Sequence, residues 1–339
     1  MGKFILRRLL WMIPVLLAIL AIMFLLMHSI PGNPWDSGGG QKAFYNIQMD
    51  DITRRALDQR FGLDQPLWQQ FTSYLIGRYD LDGQFICGLV CGNLGPSYRQ
   101  RGRSVQEILF SSRQDSNIFS SRFLYSFRLA GYAFIFALVA GILLGILSAF
   151  NQNRFLDYLI KILSTLGIAI PNFVMGLFLL MTVGLQLHWV SLIPESWLTA
   201  SPVLWIIPVF VLGFGLLASI TRITRASLLE VMRQDYVRTA RAKGLGEQRI
   251  VLVHMLKNAL IPLVTYSGPA LIELIAGTFI IESMFGFPGM GREYVDSVLR
   301  KDYSMILGAT IVYAALIAVV NLIVDVTYFW IDPRIQVEM

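Results

Sequence analysis

The side chains that most often carry out catalysis or bind metals are few and scattered in this chain. Its three histidines are His28, His188 and His254, which lie far apart in the sequence. There is no G-x-x-x-x-G-K-[ST] phosphate-binding loop, no H-E-x-x-H zinc motif and no G-x-S-x-G nucleophile turn. We therefore expect no catalytic residue, no metal site and no resident cofactor, and the chain should not be an enzyme.

Glu273 is an acidic residue placed well inside a long apolar run. An ionisable group in such a run is a candidate for function, because a charge inside a membrane is costly. Its carboxylate could meet a substrate ammonium group, carry a proton, or form a hydrogen bond that fixes helix packing. Asn321 and Asp325, one turn apart in the last apolar run, are predicted to form interhelical hydrogen bonds.

Cys87 and Cys91 are the only cysteines in the chain. With three residues between them, they could form a small disulfide in an oxidising compartment or remain as two thiols. The sequence favours neither state over the other. A metal site would need further ligands nearby, and none is evident.

The elements that must position these residues are membrane spans. Of 339 residues, 55% are hydrophobic and 15% are charged, whereas a soluble domain carries about 25% charged residues. Six apolar runs are long enough to cross a hydrocarbon layer of ~30 Å as helices. The predicted spans are Leu9–Ile30, Phe127–Phe150, Leu163–Leu187, Val203–Ile220, Ala259–Ile281 and Met305–Trp330. The predicted fold is an all-α integral membrane protein with six transmembrane helices.

The positive charge predicts how the spans are oriented. The net charge is +6, and Lys3, Arg7 and Arg8 precede the first span, while a basic cluster lies within 221–257. Because Lys and Arg in short loops tend to stay in the cytoplasm, we place both termini and this cluster there. The positive charge therefore gives no reason to expect a nucleic-acid partner.

The first loop is too long to be a simple connection. Short helices are expected at Asp50–Gly62, where Gly62 can adopt the left-handed end conformation, and at Leu67–Ile76, after Pro66. We expect a small helical cap outside the membrane. The predicted domains are 1–30 as an anchor span, 31–126 as this cap, and 127–339 as a five-helix core with 221–257 as its inner loop.

The inner loop contains a basic helix that ends at a glycine. We expect Asp235 to cap a helix over Tyr236–Lys243, because its carboxylate can accept hydrogen bonds from the first turn. Gly244 suits the position just after the helix, and Gly246 permits a turn. Glu247–Leu256 is then predicted to begin a second helix that leads into the fifth span.

This helical bracket has two possible roles. The small side chains of Ala240 and Ala242 would let another protein surface approach closely. Alternatively, its arginines could bind anionic lipid at the membrane surface, and composition alone makes the two roles about equally suitable.

Prolines and glycines predict irregular spans and close helix packing. Proline removes a backbone donor and bends a helix; transporters use such breaks to line a path, although proline is also simply common in membrane helices. We assign Glu273, Pro171 and Pro269 to a candidate translocation path. Gly141 and Gly145 form a small-xxx-small pair on the second span, which predicts a packing face. The prolines expected to break spans are Pro14, Pro171, Pro208, Pro262 and Pro269.

Short motifs spread over nearly the whole chain are individually weak and collectively specific. The most specific is DYVRTARAKGL at Asp235–Leu245. The others are FILRRLL (Phe4–Leu10), IPGNP (Ile30–Pro34), GLDQPL (Gly62–Leu67), GNLGPS (Gly92–Ser97), IESMFGFPGMG (Ile281–Gly291) and DPR (Asp332–Arg334). In this order they resemble the B-type inner-membrane permease subunit of dipeptide, oligopeptide and nickel ABC importers. Asn33 and Asn93 stand where that family usually has Asp.

The resemblance implies a type I ABC importer permease in a bacterial or archaeal inner membrane. Its partners would be a homologous second permease, two cytoplasmic ABC ATPases that hold ATP and Mg, an extracytoplasmic substrate-binding protein, and membrane lipid. The DYVRTARAKGL motif is similar to the EAA loop, the coupling helix that sits in a groove of the ATPase. The residues assigned to ATPase coupling are Asp235, Tyr236, Val237, Arg238, Thr239, Ala240, Arg241, Lys243, Gly244 and Leu245.

The outer loop Glu282–Asp302 and the cap are expected to contact the binding protein, with Phe287, Pro288 and Arg292 as candidate contacts. Two functions of other classes stay open: a proton-coupled single-chain peptide carrier that depends on Glu273, and a membrane scaffold without flux. The substrate also stays open among dipeptides, oligopeptides, nickel chelates and other small solutes.

Overall fold

The computed structural model describes residues 2–30, 34–35, 51–80, 83–100, 102–111, 121–187 and 203–331. Most of these residues are helical, which confirms the predicted all-α membrane fold. Two π-helical segments, Leu180–Gln186 and Ile250–Met255, continue the α-helices Asn172–Leu179 and Glu247–Arg249. The α-helices are α1 (Gly2–Ser29), α2 (Asp51–Phe61), α3 (Leu67–Leu75), α4 (Val105–Phe110), α5 (Arg122–Phe150), α6 (Phe155–Ala169), α7 (Asn172–Leu179), α8 (Val203–Val231), α9 (Asp235–Ala242), α10 (Glu247–Arg249), α11 (Leu256–Ala259), α12 (Ile261–Phe285), α13 (Met290–Arg300) and α14 (Tyr303–Ile331).

Five spans are continuous helices, as predicted. Among the described residues, the helical stretches long and apolar enough to cross a membrane alone are Ile5–Ser29, Arg122–Phe150, Val203–Val231, Ile261–Phe285 and Tyr303–Thr327. Their limits differ from the predicted ones by up to 11 residues, and the largest differences arise where a helix continues beyond the apolar run into flanking residues that still favour helix.

The predicted third span, Leu163–Leu187, is not one continuous helix, and the break expected at Pro171 is confirmed. The helical stretches Phe155–Ala169 and Asn172–Gln186 meet at a bend of 104°. Ile170 is extended, with φ −89° and ψ 119°, because the residue before a proline is disfavoured in the helical region. Each part is about 22 Å long, less than the ~30 Å of a bilayer core. Neither part is therefore long enough to cross the membrane alone.

The other four prolines do not break their helices, contrary to expectation. Pro14, Pro208 and Pro269 lie inside α1, α8 and α12. Pro262 lies in the first turn of α12, where its missing N–H has no intrahelical partner to lose.

Two segments expected to be loops are largely helical. Helix α8 runs past the predicted end at Ile220 as far as Val231, since residues 221–231 contain no Gly or Pro that would stop it. Helix α13 occupies Met290–Arg300 of the outer segment Glu282–Asp302, which was expected to be a loop. Charge content alone did not distinguish a polar helix from a loop.

The chain forms two compact units, and the division follows packing rather than chain order. The first comprises Met1–Tyr125 with Pro288–Val319, and the second comprises Ser126–Phe287 with Val320–Met339. Helices α5 and α14 each contribute to both units.

The first unit has a core rich in aromatic side chains. Residues from α1 and from the beginning of α14 form its buried part, and Phe71, Tyr74 and Leu75 of α3 pack against it. This packing fixes the cap helix α3 to two span helices of the same unit. The buried members are Leu20, Phe24, Met27, Tyr303, Ile306 and Leu307.

The cap is not purely helical, which corrects the prediction. Helices α2 and α3 are present as expected, but β1 (Gly77–Tyr79) and β2 (Phe85–Cys87) form an antiparallel hairpin in which Arg78 pairs with Ile86. Strands of three residues are too short to show an alternating pattern in the sequence. Cys87 and Cys91 form a disulfide, which closes the turn after β2.

A buried carboxylate organises the rest of the first unit. Asp302 accepts hydrogen bonds from Ser97 Oγ, from the Tyr98 N–H at 3.1 Å and from the Met305 N–H at 3.2 Å. The last contact caps the first turn of α14, because Met305 is the third residue of that helix. Asp302 thus ties the cap segment around Ser97 to the start of a span.

Helix α8 is the centre of the second unit, where α6, α7 and α12 pack against it. The predicted glycine face on α5 is confirmed: a Cβ on Gly141 would lie 2.7 Å from Ile220 Cγ2, and one on Gly145 would lie 2.9 Å from the Thr221 carbonyl oxygen. The absence of side chains at these two positions lets α5 and α8 pack in close contact.

A buried ion cluster also links α5, α6 and α8. Asp157 is fully buried and accepts two hydrogen bonds from Arg225, at 2.7 and 2.9 Å, and one from Ser148 at 2.6 Å. Lys161 lies 2.9 Å from the same carboxylate. Because loss of one partner of a buried ion pair leaves an uncompensated charge, this cluster fixes the register of the three helices.

We predict that Gly145→Ala destabilises the protein by about 1–3 kcal/mol, because the added methyl group would overpack the contact with the α8 backbone. Gly131→Ala, on the same helix, is the matched control, since nothing lies within 4 Å of a Cβ at that position. The measurement is the thermal midpoint of the purified protein in detergent. Equal midpoints for the two variants would contradict the close packing of α5 on α8.

Candidate functional site

The basic inner helix is α9, and it begins one residue earlier than predicted. Gln234 is its N-cap residue, and that side chain makes no capping hydrogen bond. Asp235 is the first helical residue, and its carboxylate lies 3.6 Å from the Arg238 guanidinium, one turn later. The prediction that Asp235 caps the helix is therefore wrong, although its negative charge still lies in the first turn, where the helix dipole favours it.

A short apolar stripe holds α9 in place. Val237 is fully buried and Ala240 is 5% exposed, and their spacing of three residues puts them on one face. A helix of eight residues is unstable alone in water. Burial of the Val237 side chain stabilises the folded position of α9 by about 1.5–3 kcal/mol. This burial therefore fixes the helix in place. The buried residues that surround the stripe are Ala149, Leu228, Val231, Ile250, Met255 and Ala259.

The burial of Ala240 contradicts the expectation that it lets a partner approach. Its methyl group faces the chain's own core, because the helix is rotated so that the 237/240 stripe points inward. The side chains that point outward are those of Asp235, Arg238, Thr239 and Ala242. We call these four residues the outward face of α9.

The C-terminal end of α9 is a Schellman motif, as Gly244 led us to expect. Gly244 has φ +76°, a conformation that glycine adopts without strain. Its N–H donates to the Arg241 carbonyl at 2.9 Å, and the Leu245 N–H donates to the Ala240 carbonyl at 3.3 Å. Leu245 then packs on the same apolar cluster as the stripe.

Polar contacts tie α9 to the helices that follow it. Arg241 donates to both carboxylate oxygens of Glu247, at 2.7 and 3.3 Å, and this hydrogen bond lowers the pKa of Glu247 and raises that of Arg241. Both groups are largely exposed, so the pair contributes little stability. Asn258 Nδ2 donates to the Tyr236 hydroxyl at 2.8 Å. These bonds orient α9 against α10 and α11.

The exposed surface around α9 is basic. Three basic residues are exposed there, Arg238, Arg241 and Lys243, compared with two acidic residues, Asp235 and Glu247. Lys243 makes no ion pair with any residue that the structure describes. This surface is suited to a partner with acidic or hydrogen-bond-accepting groups, and it contains no arrangement of residues for covalent chemistry.

The second unit also contains a groove of about 350 Å³. Pro171, at the bend between α6 and α7, lines it, and so does Glu273 of α12. The structure therefore brings two of the three predicted path residues together. Pro269 is inside α12 and is not among the described residues that line the groove.

Three polar residues of the groove were not singled out from the sequence. Asn172, Ser219 and Tyr266 line it together with Glu273. Each is a polar residue within or beside an apolar run, and that signal could have identified them. Asp157 and Arg225 were also not singled out, although both are charged residues close to the ends of predicted spans.

The predicted binding-protein contacts are only partly accessible. Phe287 is fully buried and packs edge-on against Trp205, with 4.8 Å between ring centroids. The side chain is not exposed in this conformation, and its contact with a binding protein remains a prediction. Pro288 and Arg292 are half-buried, and their contact with a binding protein remains a prediction.

Sequence comparisons agree with the fold along the whole chain. Residues 141–337 match the family described as binding-protein-dependent transport system inner membrane component. Residues 1–113 match the N-terminal part of the membrane component of such systems. The chain also aligns with a solved structure described as an amino acid ABC transporter with histidines, at a TM-score of 0.48 and 15% identity over 61% of this chain and 90% of that one, a similarity too low to support an argument.

Several characterised relatives match from end to end. The oligopeptide transport system permease protein OppB of Haemophilus influenzae is 36% identical over 99% of this chain and 100% of its own length. OppB of Escherichia coli is 37% identical over the same shares. The dipeptide transport system permease protein DppB of Bacillus subtilis is 33% identical over 100% of this chain and 99% of its own.

These matches confirm the resemblance seen in the motifs. Both the family match and the identities extend over the spans and over the segment that contains α9. The chain therefore belongs to the family of inner-membrane components of binding-protein-dependent transport systems, as a multi-pass transport subunit.

Proposed function

We propose that this chain is one permease subunit of an ATP-driven, binding-protein-dependent importer of peptides. The observation that carries the proposal is the outward face of α9: the Val237/Ala240 stripe fixes the helix, while Asp235, Arg238, Thr239 and Ala242 on the opposite side stay exposed. The peptide substrate is supported by the relatives, which are named for oligopeptide and dipeptide transport.

The proposed assembly contains four kinds of partner. Two ABC ATPases, which bind ATP and Mg, receive α9 on the cytoplasmic side. A homologous second permease supplies the other half of the path, and a substrate-binding protein delivers the peptide from outside. The exposed apolar faces of the spans contact membrane lipid. The excess of Lys and Arg near α9 supports a cytoplasmic position for this helix and both termini.

The contacts of α9 suggest how motion is transmitted. Its stripe packs on the end of α8 and on the π-helical segment that leads through α11 into α12. Closure of the ATPase pair would pull α9, and α8 and α12 would follow because they pack on each other. Both helices line the groove that holds Glu273, so rigid-body movement would open or close it.

No observation favours the two functions of other classes. A proton-coupled carrier would need several ionisable groups to pass a proton along its path. Glu273 is the only acidic residue among the described residues that line the groove. A scaffold without flux would have no use for a polar groove within the spans.

Reconstitution tests the function directly. Proteoliposomes that contain this chain, its second permease, the ATPases and the binding protein should take up a peptide only when ATP is supplied inside. Omission of any subunit should abolish uptake, and a proton gradient should not replace ATP. Uptake by this chain alone in a proton gradient would support the carrier instead.

We predict that Ala242→Trp lowers ATP-driven uptake by at least about tenfold, because the bulky side chain would weaken docking of the ATPase by ~1.4 kcal/mol or more. The thermal midpoint of the protein should not change. Ala240→Trp is the comparison, because overpacking the buried stripe should lower the midpoint by destabilising α9. Gly244→Pro should also abolish uptake, since proline cannot adopt φ +76°. Normal uptake with Ala242→Trp would exclude the outward face as the ATPase contact.

A further inference from the structure

Glu273 lies at the middle of its helix. Helix α12 runs from Ile261 to Phe285 and is 25 residues long, so the carboxylate is about 18 Å from either end of the helix axis. That position corresponds to the middle of the bilayer, where transporters of several folds bind their substrates.

Glu273 lines an open groove that also contains neutral polar side chains. The groove that it lines also receives Asn172, Ser219 and Tyr266, and Glu273 is the only charged residue among the lining residues that the structure describes. Its volume of about 350 Å³ is within the usual range for small-molecule sites, roughly 300–1,000 Å³. The groove is therefore a negatively charged site of suitable size for a small solute.

Glu273 does not serve helix packing in this chain. Its side chain is exposed, and it forms neither a hydrogen bond nor an ion pair with any part of the chain that the structure describes. Asp157 shows the opposite case, since that buried carboxylate is fully paired. A charge at the middle of a span that has no partner among the described residues points to a partner from elsewhere.

We infer that Glu273 binds the ammonium group of a peptide during its passage through the groove. The inference rests on the proposed function, because a peptide substrate brings an ammonium group and a carboxylate, and a negatively charged groove attracts the first and repels the second. Asn172 and Tyr266 provide neutral hydrogen-bonding groups for the peptide backbone. Glu273 is thus a residue that selects and orients the substrate within the path.

The first test separates this role from a structural one. Uptake of trialanine and ATP hydrolysis stimulated by the loaded binding protein are measured in the reconstituted complex. Glu273→Gln should lower uptake per ATP hydrolysed about tenfold and leave stimulated hydrolysis within about twofold. Glu273→Asp, which keeps the charge, should restore most of the uptake. Glu230→Gln, at an exposed position near the end of α8, is the matched control and should have no effect.

Two outcomes of this test would overturn the inference. One is uptake by Glu273→Gln equal to that of the unaltered complex. The other is a parallel loss of assembly, hydrolysis and uptake, which would assign Glu273 to packing against the second permease. The proposed function fails separately, if the unaltered complex shows no ATP-dependent uptake of any peptide.

A second test asks whether the charge itself is required. The chain has two cysteines, and both are in the disulfide, so Glu273→Cys introduces a single new thiol. Modification with a sulfonate-bearing methanethiosulfonate should raise uptake, because it returns a negative charge, whereas the trimethylammonium reagent should not. Excess trialanine and the binding protein should slow the modification. Failure of both reagents to reach position 273, or equal effects of the two charges, would contradict the inference.

Discussion

Burial of Val237 and Ala240 is the contact on which the rest of this structure depends. An eight-residue basic helix has no stability of its own in water, and the surrounding apolar cluster gives it a fixed place on α8, the π-helical segment and α11. The Schellman motif at Gly244 adds Leu245 to the same cluster. One face of α9 therefore packs against the protein's own core, and the opposite face remains exposed for a partner.

This attachment connects the surface of the protein to its interior. The π-helical segment and α11 lead without a break in packing into α12, and α12 packs against α8. The ion cluster of Asp157 and Arg225 ties α8 to α6, and α6 ends at the Pro171 bend beside the groove. A force applied to α9 therefore acts on the helices that surround Glu273 through buried contacts, which are stiff because they are closely packed.

Much of the fold followed from the sequence, and the misses have physical causes. Hydropathy predicts spans well, because a bilayer demands long apolar helices. The break at Pro171 was predicted, but so were breaks at four other prolines that lie within intact helices, because the five prolines look alike in the sequence. Gly244 was predictable from its position after a basic helix. The inward orientation of Ala240 was not, because the rotation of α9 depends on distant residues such as Leu228 and Met255.

The outward face of α9 can be tested by photo-crosslinking in the assembled complex. A photoreactive amino acid is placed at position 242, which is exposed, and at position 143, an exposed leucine of the span α5, as the comparison. Light should link position 242 to an ATPase subunit, with a yield that changes when nucleotide is added, and position 143 should give no ATPase adduct. Adducts at position 242 with lipid alone would contradict the docking of this helix on an ATPase.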